Sequence, residues 1–181
     1  MNIIWIFLIL LGTISFISYI SIVFNGLIQL KNNIQKSWAN IDVLLKQRYD
    51  ELPNLINTVK GYMAYEKELM ENITKARANF LNANSVHEKA IVNNEVSFAL
   101  QRLFAVAENY PKLKANISFL KLQKRISEIE NEISDRREFY NDSVNNYNIR
   151  IQSFPDLIIA KIFGFKESDR FIAKERPGIK F

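Results

Sequence analysis

The chain has 181 residues, 48% of them apolar and 24% charged, with a formal net charge of +5 and no cysteine. Disulfides, thiolate zinc sites and cysteine nucleophiles are thereby excluded. Lys and Arg are interspersed with Glu and Asp rather than clustered, which makes a poor nucleic-acid footprint, although modest basicity favours a nearby anionic leaflet.

The run from Ile3 to Phe24 is apolar apart from a few hydroxyls and Gly12, and no charged side chain occurs before Lys31. As a helix it rises roughly 33 Å, matching a hydrocarbon core of about 30 Å, and only a helix satisfies its own backbone when a single segment crosses lipid. A cleaved signal peptide would need a basic leader, a shorter apolar core and a small-x-small site. None is evident, so a retained anchor over residues 1–26 is expected. Lys31, Lys36, Lys46 and Arg48 follow the span and no cation precedes it, which places the body in the cytoplasm.

Beyond the span, Leu30, Ile34, Trp38, Ile41, Leu45, Leu52, Ile56, Val59, Met63, Met70, Ile73 and Phe80 recur three to four positions apart or at sums of those steps. That spacing predicts an amphipathic helix continuous with the anchor, kinked at Pro53 and ending in the polar cluster 82–85. A second helix is predicted over Val86 to Asn109, with Val92, Val96, Ala99, Leu100, Leu103, Phe104 and Ala107 inward. Tyr110-Pro111 stops it.

The third helix has a heptad-like seam through Phe119, Leu122, Ile126, Ile129, Ile133, Arg136, Tyr140, Val144, Tyr147, Ile151 and Phe154, with one stutter. Its length of roughly 60 Å from Pro111 to Ser153 spans most of the first arm. Phe154-Pro155-Asp156-Leu157 then opens a short apolar helix ending near Gly164, too short to cross a bilayer, which either caps the bundle or lies in the interface with Lys161 and Lys166 on headgroups. Residues 165–181 read as a tail.

Catalysis fails on inventory. His87 is the one histidine, in a polar loop or helix start, so neither a Ser-His-Asp arrangement nor paired Glu-x-x-His di-iron motifs can be assembled. Glu128, Glu130 and Glu132 alternate, face different sides of a helix, and read as solvated. No catalytic, cofactor-binding or metal-ligating residue is expected, and no cofactor. Four charges nevertheless fall on the apolar seams: Arg48, Glu66, Arg77 and Arg136. Either their stems lie along the core with the heads in water, or they meet as a buried ion-pair cluster that fixes register. With Trp38, Asn54 and Tyr140 they form the candidate partner surface or structural polar cluster.

Longer signatures carry a resemblance. Trp38-Ala39-Asn40-Ile41-Asp42-Val43-Leu44-Leu45-Lys46-Gln47-Arg48-Tyr49-Asp50, Leu52-Pro53-Asn54-Leu55, Val59-Lys60-Gly61-Tyr62 and Ala76-Arg77 resemble the first half of the LemA family. Glu108-Asn109-Tyr110-Pro111-Lys112-Leu113-Lys114-Ala115-Asn116, Arg136-Arg137, Tyr140-Asn141, Tyr147-Asn148, Phe154-Pro155 and Phe163-Gly164-Phe165 resemble the second half. One departure is Tyr65 before Glu66, where the family pattern has His. The resemblance implies a bacterial single-pass membrane protein with an antiparallel four-helix arrangement and no attached activity. Some relatives occur beside membrane zinc metalloproteases, and related domains occur in magnetosome membrane proteins.

The expected fold is therefore all-α: an N-terminal transmembrane helix over 1–26 running into an antiparallel four-helix bundle over 27–164, three long helices plus a short C-terminal one. The expected function is a noncatalytic, membrane-anchored scaffold or adaptor in the bacterial inner membrane, binding another membrane or envelope protein such as a protease or stress component. The alternative is a self-assembling membrane organiser that presses its apolar C-terminal segment into the bilayer interface. Expected partners are the membrane, another membrane or envelope protein and further copies of the chain, with neither nucleic acid nor a small-molecule substrate.

Overall fold

A computed structural model describes residues 2–172, and these contain six helices and no strand. Helix α1 runs unbroken from Asn2 to Lys60, about 88 Å at the standard rise. Its first five turns are bare. Ile3 to Leu11, Ile14, Phe16, Ile17 and Ile22 are all exposed, and by length and composition this stretch can cross a membrane. Protein cover begins with Ile20, which is half-buried, and then with Val23 and Leu27.

Pro53 sits inside α1, and the helix continues through it. Proline has no N–H, so the carbonyl of Tyr49 one turn earlier loses its helical donor. Arg77 supplies the replacement, its Nε donating to Tyr49 O at 3.2 Å. A helix that buries Leu52, Leu55 and Val59 on the same face tolerates the proline because another helix repairs the ladder.

The continuous arm expected up to residue 82 is broken eight residues after Pro53. Residues 61–66 form a turn, and α2 (Lys67–Asn82) folds back along α1, so that Phe80 stacks on Tyr49 with ring centroids 3.8 Å apart. Apolar spacing does not reveal the reversal because the turn residue Met63 is itself buried. Helix α3 (Val86–Ala107) starts at a capping box in which Ser85 accepts from the Glu88 amide and the Glu88 carboxylate accepts from Ser85 N–H. Amides of Asn84 and Ser85 hold the Glu88 carboxyl below its usual range. Pro111–Lys114 forms the short α4, and Asn116 caps α5 (Ile117–Gln152) by accepting from Phe119 N–H.

Side-chain pairs fix the directions. Lys89 meets Asp42, and Asn93 and Ser97 meet Arg48, so α3 runs parallel to α1 and antiparallel to α2. Arg125 meets Glu51 and Tyr140 meets Trp38, so α5 runs antiparallel to α1. The result is an up-down-up-down bundle of α1, α2, α3 and α5 with short connections. The fourth long member is α2, split from the expected first arm, while the short C-terminal helix α6 (Asp156–Ile162) is an addition at the end of the bundle beside Phe24.

Residues 165–172, read from the sequence as part of a tail, turn back and run along α5. Tyr147 Oη donates to Lys166 O at 3.0 Å, Asn148 exchanges two bonds of 2.9 Å with Ser168, and Tyr140 Oη donates to Asp169 O at 2.8 Å. This strap ends at Phe171, fully buried with its ring centroid 5.6 Å from that of Trp38. The remainder of the tail, 173–181, lies outside the described residues.

Candidate functional site: a buried arginine and the groove beside it

Arg48 has no exposed surface, on a face of α1 otherwise made of Ile41, Leu45, Leu52 and Leu55. A bare guanidinium there would cost several kcal/mol, roughly, unless paired and hydrogen-bonded. It is both. Nη2 donates to Asn93 Oδ1 at 2.7 Å, and Nη1 donates to Ser97 Oγ at 3.0 Å and to the Glu130 carboxylate. Ser97 has its own proton directed to Glu130 or back to Asn93 O. One side chain from α1 thus fastens α3 and α5 at a single level of the bundle.

The surroundings carry the electrostatic cost. Burial pushes the Tyr49 hydroxyl up to about 12, against the opposing pull of the Arg48 guanidinium. Burial also lowers Arg137, with the Glu130 carboxylate opposing. Arg48 Nε, Tyr49 Oη and Asn93 Nδ2 are buried without a hydrogen-bond partner. Arg48 and Asn93 are buried, Ser97 is half-buried, and the Glu130 side chain is 37% exposed. The chemistry of this network is cohesive, holding three helices in register, and among the described residues no group of three His, Cys, Asp or Glu side chains is placed to hold a metal.

The charged seam residues do not form one cluster. Arg48 is buried, paired with Glu130 rather than with Glu66. The expectation that Glu130 is merely solvated is corrected: alternate positions face different sides, and Glu130 is the one that faces α1, while Glu128 and Glu132 stay exposed. Arg77 lies one residue away, on the Tyr49 carbonyl. Glu66 is at the far end, accepting from Tyr110 Oη at 3.3 Å. Arg136 points outward and Arg137 takes the inner position, its guanidinium 5.1 Å from the Phe171 ring.

Trp38 and Tyr140 do meet, at 5.7 Å between centroids, where Phe171 completes the aromatic group and Lys89 lies over the Trp38 ring. Asn54 is exposed on α1. Arg136 instead lines a shallow groove of about 310 Å³ between α1 and α5, with Asn33, Lys36, Ser37, Asn40, Phe139 and Ser143. Phe139 is 62% exposed there.

The family model for the LemA family matches residues 37–181. The chain belongs to the LemA family. Magnetosome protein MamQ 2 of Paramagnetospirillum magneticum is 25% identical over 193 residues, covering 92% of this chain and 70% of that protein. Magnetosome protein MamQ of Magnetospirillum gryphiswaldense is 22% identical over 190 residues, covering 91% and 70%. Protein LemA of Metamycoplasma hominis is 27% identical over 131 residues, covering 72% and 60%. Together with the bare helix at the N-terminus, this kinship marks a membrane-associated bacterial protein.

Sequence reasoning missed Asn93, Ser97 and Glu130 as members of the site. A signal for two of them existed: Asn93 and Ser97 are polar at i,i+4 beside the apolar stripe of Val92 and Val96, the spacing that presents two acceptors to one buried donor. Gly26 lies inside α1. A Cβ there would stand 2.8 Å from Arg150 Nη2, so the glycine makes room for the guanidinium that ties α5 to α6.

Proposed function

We propose that this LemA-family chain is a noncatalytic, membrane-anchored helical scaffold that engages another membrane or envelope protein through the α1–α5 groove. The observation that carries this reading is the continuity of α1. One helix supplies both the bare apolar span and the strut into which Arg48 locks α3 and α5, so the bundle is a fixed extension of the anchor. A groove at Asn33 to Asn40 then stands roughly 13 to 24 Å above Phe24 along α1, within reach of the juxtamembrane segment of a neighbouring protein.

Lys36 and Arg136 give the groove a positive wall, and exposed Phe139 offers an apolar anchor, a combination that selects a helix carrying carboxylates beside a bulky apolar residue. The basic residues after the span favour a bundle in the cytoplasm. A photo-crosslinking side chain at Phe139, in the full chain in its native membrane, is expected to trap one defined protein, and the same group at Tyr65 on the far turn is not. Lipid adducts alone at Phe139, or the same pattern at both positions, would overturn the reading.

A further inference from the structure

The short C-terminal helix is placed where the bilayer surface would be. Phe163 and Phe165 follow it and pack on Phe24, the last residue of the apolar run, with ring centroids 4.8 and 5.8 Å away. Around this contact the half-buried Ile20 and the buried Val23 and Leu27 form the covered stretch of α1, so the foot of the bundle reaches below the end of the apolar run.

The placement is held from both ends. Arg150 of α5 donates through Nε to Asp156 of α6 at 2.6 Å, with its guanidinium lodged against Gly26. At the other end Gly164 takes φ of +70°, Gly164 N–H donates to Lys161 O and Phe165 N–H to Ala160 O, which ends α6 in a left-handed turn and sends Phe165 back toward Phe24.

Held this way, α6 has an inner face and a bare one. Ile159 and Ala160 are buried, whereas Ile158 and Ile162, four apart on the same side, are 53% and 72% exposed. Phe154, in the turn before α6, is 80% exposed, and Phe163, just after it, is 52% exposed. Lys161 and Lys166 are exposed beside them. A bilayer surrounds α1 on every side at the depth of Phe24, so an outward apolar side chain on an element packed there meets the boundary between headgroups and acyl chains, and flanking lysines meet the phosphates.

We infer that α6 is a second membrane contact, an interfacial foot whose Ile158 and Ile162 lie in the headgroup and acyl boundary of the leaflet in which the α1 span ends. The inference rests on α1 being a membrane span and adds a second, monotopic attachment to it. Two contacts at different distances from the α1 axis remove the bundle's freedom to tilt and spin about its anchor. They fix which side of the bundle, and so which face of the α1–α5 groove, is presented along the membrane plane.

The test uses the absence of native cysteine. Full-length protein with single substitutions Ile9→Cys, Ile158→Cys, Ile162→Cys or Tyr65→Cys is labelled with bimane and reconstituted into phosphatidylcholine and phosphatidylglycerol vesicles. Nitroxide-bearing lipids then quench at shallow or deep positions, and aqueous iodide quenches exposed labels. The expected result is deep-lipid quenching at Ile9, shallow-lipid quenching with loss of iodide quenching at Ile158 and Ile162, and iodide quenching alone at Tyr65. Deep quenching at Ile9 with iodide quenching at Ile158 and Ile162 overturns the foot and leaves the span standing. Labels at Ile158 and Ile162 shielded from both lipid and iodide also overturn it, since protein would then cover the face. Failure of lipid to quench Ile9 overturns the span and the foot together.

Discussion

Replacing Glu130 with glutamine keeps the shape of the side chain and removes its charge from beside a guanidinium that has no exposed surface. Leaving one member of a buried pair uncompensated costs about 3 to 5 kcal/mol. The Glu130 head is 37% exposed, and water relieves part of that loss, so about 2 to 3 kcal/mol is expected for Glu130→Gln. Glu132→Gln, on the exposed side of the same helix, should change stability by less than about 0.5 kcal/mol.

Arg48→Met removes the buried charge and leaves Glu130 able to turn into water, so adding Glu130→Gln to Arg48→Met should cost less than about 1 kcal/mol. The assay is denaturant unfolding of the full chain in detergent micelles followed by helical circular dichroism, with the double-mutant cycle closed. Equal midpoints for Glu130→Gln and Glu132→Gln, or additive losses in the double variant, would refute the assignment of Arg48 and Glu130 as the pair that registers α1 against α5.

Further expectations follow from single contacts. If Arg77 repairs the carbonyl freed by Pro53, Arg77→Ala should cost about 1 kcal/mol more in the native background than in Pro53→Ala, where the helical N–H is restored; equal costs in a thermal-unfolding cycle would contradict this. Phe171→Ala should destabilise the bundle by about 3 to 5 kcal/mol and open residues 165–172 to hydrogen exchange ahead of α5, and slow exchange there would argue against the strap. Burial raises both Tyr49 and Tyr140 to about 12 from an unfolded value near 10. Between those values the folded state keeps protons that the unfolded state loses, so the contribution of these two hydroxyls to stability is constant below about pH 10 and falls as pH rises toward 12. Tyr49→Phe, which removes a buried hydroxyl without a partner, should blunt this alkaline fall in a pH series of unfolding midpoints.

Elements defined by period were legible in the sequence. The seam of α5 through Phe119, Ile126, Ile129, Ile133, Tyr140, Val144, Tyr147 and Ile151 is buried as its spacing implies, whereas the Arg136 step was displaced by one position to Arg137 and Phe154, beyond the end of the helix, is 80% exposed. The reversal at 61–66 was not legible, because Met63 fills the core from within the turn and keeps the apolar phase running through it. Partnerships across the bundle were equally hidden. Arg48 and Glu130 are 82 positions apart, and no local spacing links a seam arginine to a carboxylate on another helix. The strap was unreadable for a related reason: its backbone is held by Tyr140, Asn141, Tyr147 and Asn148, which serve the α5 pattern as ordinary inward or flanking residues.

The claim on which the account depends is that span and bundle share one rigid helix. Spin labels at Phe16→Cys and Lys46→Cys, both exposed and on either side of the junction, measure it in full-length protein reconstituted into nanodiscs by double electron–electron resonance. Thirty residues of unbroken helix predict a single narrow distribution centred near about 45 Å. A broad distribution, or one centred well below that distance, would mean a hinge between Phe24 and Lys31 and would contradict a scaffold of fixed orientation.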